Sequence, residues 1–434
     1  MAQPFVVQKF GGTSVGTSQR IQLVARKLAH EHQAGKKLVV VVSAMGQTTD
    51  ELIDLARAVS QSPPHREMDM LLTAGERISM ALLSMALADR GVQAVSLTGS
   101  QTGIITDEGH RRARIRRILG DRVRAALGEN KIVIVAGFQG VSEKTKDVTT
   151  LGRGGSDTTA VALAAALGAD ACEIFTDVDG VFTADPRVVA HARLQPRVSY
   201  GAMLELASAG AGVLHPRSVA LAKKFGIRLR VLNSLSSDEV PGWEPARRQS
   251  TEVGGGMENT EKRSVGVTEI EMFQPIGVTS DKEKLFVQVE LARPTLTAAL
   301  WECLKALPSA VLAPTFEHGK VGFYIDRAVL ADLKKGLSRL VEEGFMKTFQ
   351  IFEELAPVTL AGESLPADGS MLPRVVDVLW RDKVAVTTAV ASPFGVTVGV
   401  ALNRVDDAIR ELHTEFFPAT TSAADSSGSG AASN

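Results

Sequence analysis

Cysteine is almost missing from this chain, whose 434 residues include only Cys172 and Cys303. Both lie in apolar surroundings without the spacing of metal ligands. That excludes a disulfide scaffold or a zinc module, and two buried, reduced thiols of a cytosolic protein are expected. An excess of charge is missing too: 48 basic residues face 49 acidic ones, which argues against a mainly electrostatic attraction to nucleic acid or to an anionic membrane. The amino terminus, MAQPFVVQKF, lacks a basic segment followed by a long apolar one, and no run elsewhere approaches a membrane span, so a soluble, cytoplasmic protein is expected. One local excess stands against the balance. HRRARIRRIL, residues 110–119, carries five arginines in ten positions and reads as a solvated helix face rather than a nucleic-acid patch.

Several catalytic signatures are missing as well. No serine or cysteine occupies a nucleophile elbow and no His-Glu-x-x-His occurs. The eight histidines are scattered, with only His215, in VLHPRS, at a noticeable turn. Gly-x-Gly-x-x-Gly is absent after the first apolar run, which weakens a dehydrogenase reading. The Walker pattern is also absent: in KFGGTSVG, residues 9–16, the lysine precedes the glycines instead of following them.

What the chain does have is alternation. At this length two or more domains are expected. In the first half, strands are expected at PFVVQKF, KLVVVVSA, VQAVSLTG, KIVIVAGF, ACEIFTDV and IRLRVLNS, and helices over 74–90, 158–167 and 212–224. Such a succession predicts an α/β fold with a mainly parallel sheet layered between helices, and KLVVVV has the continuous apolar character of a strand covered on both faces. Composition shifts after Asn233: residues 236–264 are rich in turn formers and charge and read as a linker. Weaker strands near 284–289, 321–325, 349–353 and 396–401, with helices near 296–307, 329–342 and 405–416, predict one or two small regulatory or pairing modules over 265–417. The tail 418–434 cannot bury a core and is expected to be disordered.

Open α/β sheets gather ligands at the carboxyl ends of their strands, and four stretches qualify. In KFGGTSVG, Gly11 and Gly12 let the backbone approach an anion and Lys9 reaches the same place, although a plain turn with Ser14 or Thr17 as helix cap fits equally well. In TLGRGGSDTTA, Arg153 and the free amides of a helix start form a cradle for a carboxylate or phosphate. In FTDVDGVFTADPR, Asp177, Asp179 and Gly180 open like a calcium loop. The twelfth position is Val188 rather than glutamate, so a nucleotide clamp fits better. In VVSAMGQTTDE and LLTAGERIS, Ser43, Thr48 and Thr49 could position a polar substrate. Glu76 sits beside an apolar helix face marked by Ile78, Ala81, Leu82 and Met85, where a lone glutamate usually faces solvent. Several anion-binding turns with one lysine point to phosphoryl transfer, a chemistry that needs positioning and charge neutralisation above all.

KFGGTSV, VVSAMG, TAGERIS, GFQGV, TTLGRGGSDTTA, FTDVDGVFTADPR and VLHPRSV, in that order over residues 4–235, resemble the aspartate kinases of the amino-acid kinase superfamily. The resemblance implies a catalytic domain over 1–235 with a three-layer α/β/α sandwich. It also implies transfer of the γ-phosphoryl group of ATP, carried with Mg2+, to the side-chain carboxylate of L-aspartate. It assigns Lys9, Phe10, Gly11, Gly12 and Ser43 to the nucleotide phosphates, and Thr176, Asp177, Phe182, Thr183, Ala184, Asp185, Pro186 and Arg187 to adenosine. Thr49, Glu76, Arg153, Gly154, Gly155 and Ser156 would hold aspartate, and Asp157 would orient Lys9, the second catalytic position.

For 265–417 the resemblance implies paired ACT modules, βαββαβ units through which a homodimer would form. Their effector loops depart from the family pattern. Ala292 and Thr295 stand where aspartate and glycine belong, Ala310 replaces an asparagine, and Ser392-Pro393-Phe394 replaces Ser-Glu-Ile. Weak or absent feedback by lysine and threonine is therefore expected.

Overall fold

Six apolar runs assemble side by side. Leu229–Asn233, Ala171–Thr176, Phe5–Phe10, Lys37–Val42, Ile132–Ala136 and Ala94–Leu97 lie in that spatial order, every pair parallel, in the computed structural model of the chain. It describes residues 3–234, 250–254, 274–293, 297–307, 309, 311–363 and 370–418. All six are the strands expected from the sequence. The central ones, Lys37–Val42, Ile132–Ala136 and Ala171–Thr176, are buried on both faces because both faces carry helices. Val7, Val41, Val135 and Ile174 pack against Gly155–Leu167 and Pro216–Phe225, while Val6, Phe10, Val40 and Ile134 pack against Ser18–Gln33 and Ala74–Ala88. The result is the expected three-layer α/β/α sandwich. The register aligns Phe10 with Val42 and Phe175, and Val42 with Ala136, so the turns leaving these strands collect along one edge of the sheet.

Several expectations need correction. Part of the supposed linker is a strand: Ser250–Gly254 runs antiparallel to Leu229–Asn233 and parallel to Arg197–Ser199. Thr251 and Val253 are fully buried and alternate with half-buried neighbours, a period-2 pattern too short to stand out in a turn-rich stretch. Residues 236–249 and 255–264 of that linker, and 419–434 of the tail, lie outside the described residues. The arginine-rich stretch is not a helix. It turns and then forms the strand Ile115–Ile118, which joins Ile104–Thr106, Gln139–Ser142 and Val148–Thr150 in a second sheet. Its arginines serve as local ties: Arg117 pairs with Glu143 at 2.7 Å, and Arg112 donates to the carbonyls of Lys305 and Leu307. The helix expected from residue 212 starts at Pro216, where proline takes the first turn and the His215 ring accepts the Arg217 N–H as cap.

The Ala74–Ala88 helix is rotated from its expected setting. Ile78, Leu82 and Met85 are exposed, while Gly75, Glu76, Ser79, Met80, Leu83, Ala86 and Leu87 face inward. Together with the preceding helix it also forms, among the described residues, one run long and apolar enough to cross a membrane, His65–Ala88, of which 50% is buried inside the fold.

Two four-stranded antiparallel sheets make up the carboxyl-terminal half. Lys284–Leu291, Leu312–Glu317, Lys320–Asp326 and Met346–Phe352, with helices Thr297–Ala306 and Leu330–Glu342, follow one another as βαββαβ. The other sheet joins Gln274–Ser280 to Leu355–Glu363, Gly395–Ala401 and Thr388–Ser392. Its first strand thus precedes the whole βαββαβ unit in sequence, and the two modules are interleaved rather than consecutive. Leu355–Glu363 is buried along almost its full length: Leu360 packs among Val375, Val378 and Leu412 of its own module, and Ala361 joins the core of the large sheet near Leu206. Ala292 is among the described residues, whereas Thr295 and Ala310 lie outside them.

Candidate active site

Lys9 is the last but one residue of the first strand, in register with Val41 and Ile174, and shares their face of the sheet, the one covered by Gly155–Leu167. Its Nζ lies 2.7 Å from Asp157 Oδ1, with both side chains nearly nine-tenths buried. Asp157 stands in the first turn of Gly155–Leu167, where the free amides and the helix dipole favour negative charge. The pair therefore places a cation and a helix start at one point, an arrangement suited to phosphate oxygens.

Gly11 and Gly12 follow, and space rather than backbone conformation explains them. A Cβ at Gly11 would stand 3.4 Å from Lys9 Nζ, and one at Gly12 would meet the Ala44 and Gly46 carbonyls at 3.1 and 3.3 Å. Ties between neighbouring turns hold this close approach: Ser43 N–H donates to the Phe10 carbonyl and Gly46 N–H to the Gly12 carbonyl, each at 3.1 Å. Thr17, not Ser14, caps the helix that follows. Ser14 instead donates to Ser234 at 2.7 Å, and Ser234 donates to the Thr176 carbonyl at 2.9 Å, drawing the turn after Ala171–Thr176 toward the one after Phe5–Phe10.

Glu76 enters from the other side. One carboxylate oxygen accepts the Ala44 N–H at 3.2 Å, while the other is buried without a protein partner among the described residues. Burial pushes its pKa up to about 7. Gly75 makes this approach possible, because a Cβ there would lie 2.7 Å from Ala44 Cβ. Thr49 is half-buried in the first turn of Thr48–Val59, which leaves the same Ser43–Gly46 turn.

Arg153 is exposed at the mouth of the helix start. Gly154 beside it is required twice over: its φ is +65°, and a Cβ would run into the His215 ring at 2.1 Å. Ser156 is buried against Gly137, and the Phe138 N–H donates to Thr159 at 3.1 Å, which fixes the third strand-end turn on the same helix.

A family model described as the amino acid kinase family matches residues 4–233. Over 421 residues the chain is 42% identical to the aspartokinase of Corynebacterium efficiens, covering 95% of this chain and 96% of that one. The chain belongs to the aspartokinase family. It is 41% identical to the aspartokinase of Geobacillus stearothermophilus, with 96% and 98% of the two chains covered. A solved structure of E. coli aspartokinase III in complex with aspartate and ADP superposes with a TM-score of 0.75 over 95% of this chain and 100% of that one; at 23% identity the likeness speaks for the fold.

This aspartokinase-family kinase brings together Lys9, Gly11, Gly12, Ser43, Glu76, Ser156, Asp157 and Thr176 around one sheet edge, but not every residue expected there. The Phe10 ring is turned away, stacked on Phe175 at 4.7 Å inside the core, so only its backbone borders the turn. Thr183 and Ala184 are buried against the carboxyl-terminal half, Thr183 bonded to His413 and Ala184 packed in that half's core. Asp177 and Pro186 are exposed and Phe182 is half-buried. Asp185 and Arg187 pair with each other at 2.7 Å, with Arg187 pointing into solvent. Sequence reasoning missed Asp69. It is fully buried and accepts the Thr150 hydroxyl at 2.6 Å and the Arg111 N–H at 3.1 Å, bracing the strand that leads to Arg153. A single aspartate in an amphipathic helix carries no signal that would have found it.

Proposed function

We propose that the chain is an ATP-dependent aspartate kinase that converts L-aspartate to 4-phospho-L-aspartate, the entry to lysine, threonine, methionine and isoleucine synthesis. A side-chain carboxylate oxygen of aspartate attacks the γ-phosphorus in line. The bond to the bridging oxygen breaks, and ADP leaves with the electron pair. The observation that carries this reading is the Lys9–Asp157 pair, 2.7 Å apart beside two glycines at a parallel strand end. Lys9 neutralises charge on the transferring group and Asp157 holds it in line. The Gly11–Gly12 amides and Ser43 border the phosphates, and the 176–187 turn borders adenosine through its backbone and its exposed end. Magnesium arrives as part of the nucleotide substrate.

On the acceptor side, Arg153 is free to pair with the α-carboxylate, and the partnerless oxygen of Glu76 suits the substrate ammonium. Thr49 and the 154–156 turn complete the aspartate cradle. The ACT-like modules would pair two copies of the chain in the cytoplasm. Replacing Lys9 by alanine tests the assignment. Turnover falls roughly 10²–10³-fold or more, as on removal of a transition-state charge partner, with the circular dichroism spectrum unchanged. A folded K9A enzyme with near-normal kcat would refute it.

A further inference from the structure

The 176–187 turn is not held by the catalytic sandwich alone. The Thr183 carbonyl accepts the Val278 N–H at 2.8 Å, and the Thr183 hydroxyl accepts the Arg193 N–H at 2.9 Å. The same hydroxyl shares a 2.8 Å hydrogen bond with Nε2 of His413, on the last helix of the carboxyl-terminal half, Val405–Phe416. Ala184 and Val189 pack into that module's core with Leu412 and Phe416. From Thr183 onward the chain is stiff: the Asp185 carboxylate accepts the Arg187 N–H, and its carbonyl accepts the N–H groups of Val188 and Val189. Thr183 leads directly into this hydrogen-bonded turn, two residues before Asp185.

The His413 ring is fully buried between Phe417, stacked at 4.9 Å, and His191, edge-on at 5.0 Å, and its Nδ1 has no partner among the described residues. Packing alone does not explain an imidazole here. A leucine would fill the space without burying an unpaired nitrogen, so the polar atom is accounted for only by its bond to Thr183. We propose that His413 is a positioning residue for the nucleotide, setting the 183–187 turn from the carboxyl-terminal module through Thr183. The proposal rests on the assignment of that turn to adenosine.

Steady-state kinetics on the full-length enzyme test it. H413L raises KM for ATP about five- to tenfold, as loss of one buried hydrogen bond would, while kcat at saturating nucleotide and KM for aspartate stay within about twofold. H413Q, whose amide reaches the Nε2 position, restores most of the affinity. T183V reproduces the defect, and the H413L/T183V double variant adds nothing further. The idea is overturned if both KM values move together, if H413Q is as impaired as H413L, or if the two substitutions are additive; should H413L not fold, H413M is compared with H413Q in its place. Failure of the underlying assignment looks different: replacing the exposed Pro186 and Arg187 would then leave KM for ATP unchanged, whereas a raised KM in those variants beside an unchanged KM in H413L sinks only the role of His413.

Discussion

At the residue scale the site depends on one burial that the sequence disguises. Lys9 and Asp157 were legible through the motifs that carry the family resemblance; by themselves a lysine before a glycine turn and an acid opening a helix fit an ordinary turn and a helix cap equally well. Glu76 was assigned by the resemblance alone: in its helix Ile78, Leu82 and Met85 offered a plausible buried stripe, yet the inward stripe is Ser79, Met80, Leu83 and Leu87, and Glu76 lies on it. Two stripes of similar hydrophobicity leave the rotation of a helix undecided until its neighbours are known. Burial raises the Glu76 pKa from 4.5 to about 7. In the proposed role the ionised form holds the substrate ammonium, so KM for aspartate should fall as pH rises through about 7, and E76Q should show a high, pH-independent KM. The linkage sign runs opposite for stability. Between pH 4.5 and 7 the unfolded chain gives up this proton first, so Glu76 costs folding free energy as pH rises, and unliganded E76Q should melt higher than the unmodified enzyme at pH 8.

At the scale of elements, the parallel strands were readable because continuous β-branched runs admit few alternatives, and their order put three of the four candidate turns on one edge; the remaining one follows Val148–Thr150 of the second sheet. Short or interrupted elements were not. Ser250–Gly254 has only two inward residues, and the strand Ile115–Ile118 is masked by arginines whose partners are distant in sequence. Gly154 illustrates how tightly the elements meet. It ends one loop and opens Gly155–Leu167 at φ +65° with the His215 ring against it. Gly154→Ala should cost more than about 1 kcal/mol in urea unfolding, the strain of a left-handed alanine plus the collision. A second change, His215→Ala, should return only the part due to the collision; full recovery would show that the backbone conformation carries no strain.

Over the whole molecule, the interleaving of the two carboxyl-terminal modules was invisible, since periodicity identifies strands but not their partners. It has a mechanical consequence. The module containing Leu355–Glu363 is bound to the catalytic sandwich through Ala361 and through Phe394, whose ring leaves no room for a side chain at Gly201 and lies 5.6 Å from Lys223 Nζ. The Ser392-Pro393-Phe394 hairpin, which departs from the family's effector pattern, is thus occupied in docking. Millimolar lysine and threonine together should leave the rate within about twofold; concerted inhibition would show that effector binding survives the altered loops.

The central claim is the identity of the phosphoryl acceptor. Acyl phosphate trapped as hydroxamate, measured with ATP and a panel of amino acids including aspartate, glutamate and N-acylated glutamate, tests it most directly. Product is expected with L-aspartate alone, and none from K9A. Equal or greater product with another acid, or none with aspartate, would contradict it.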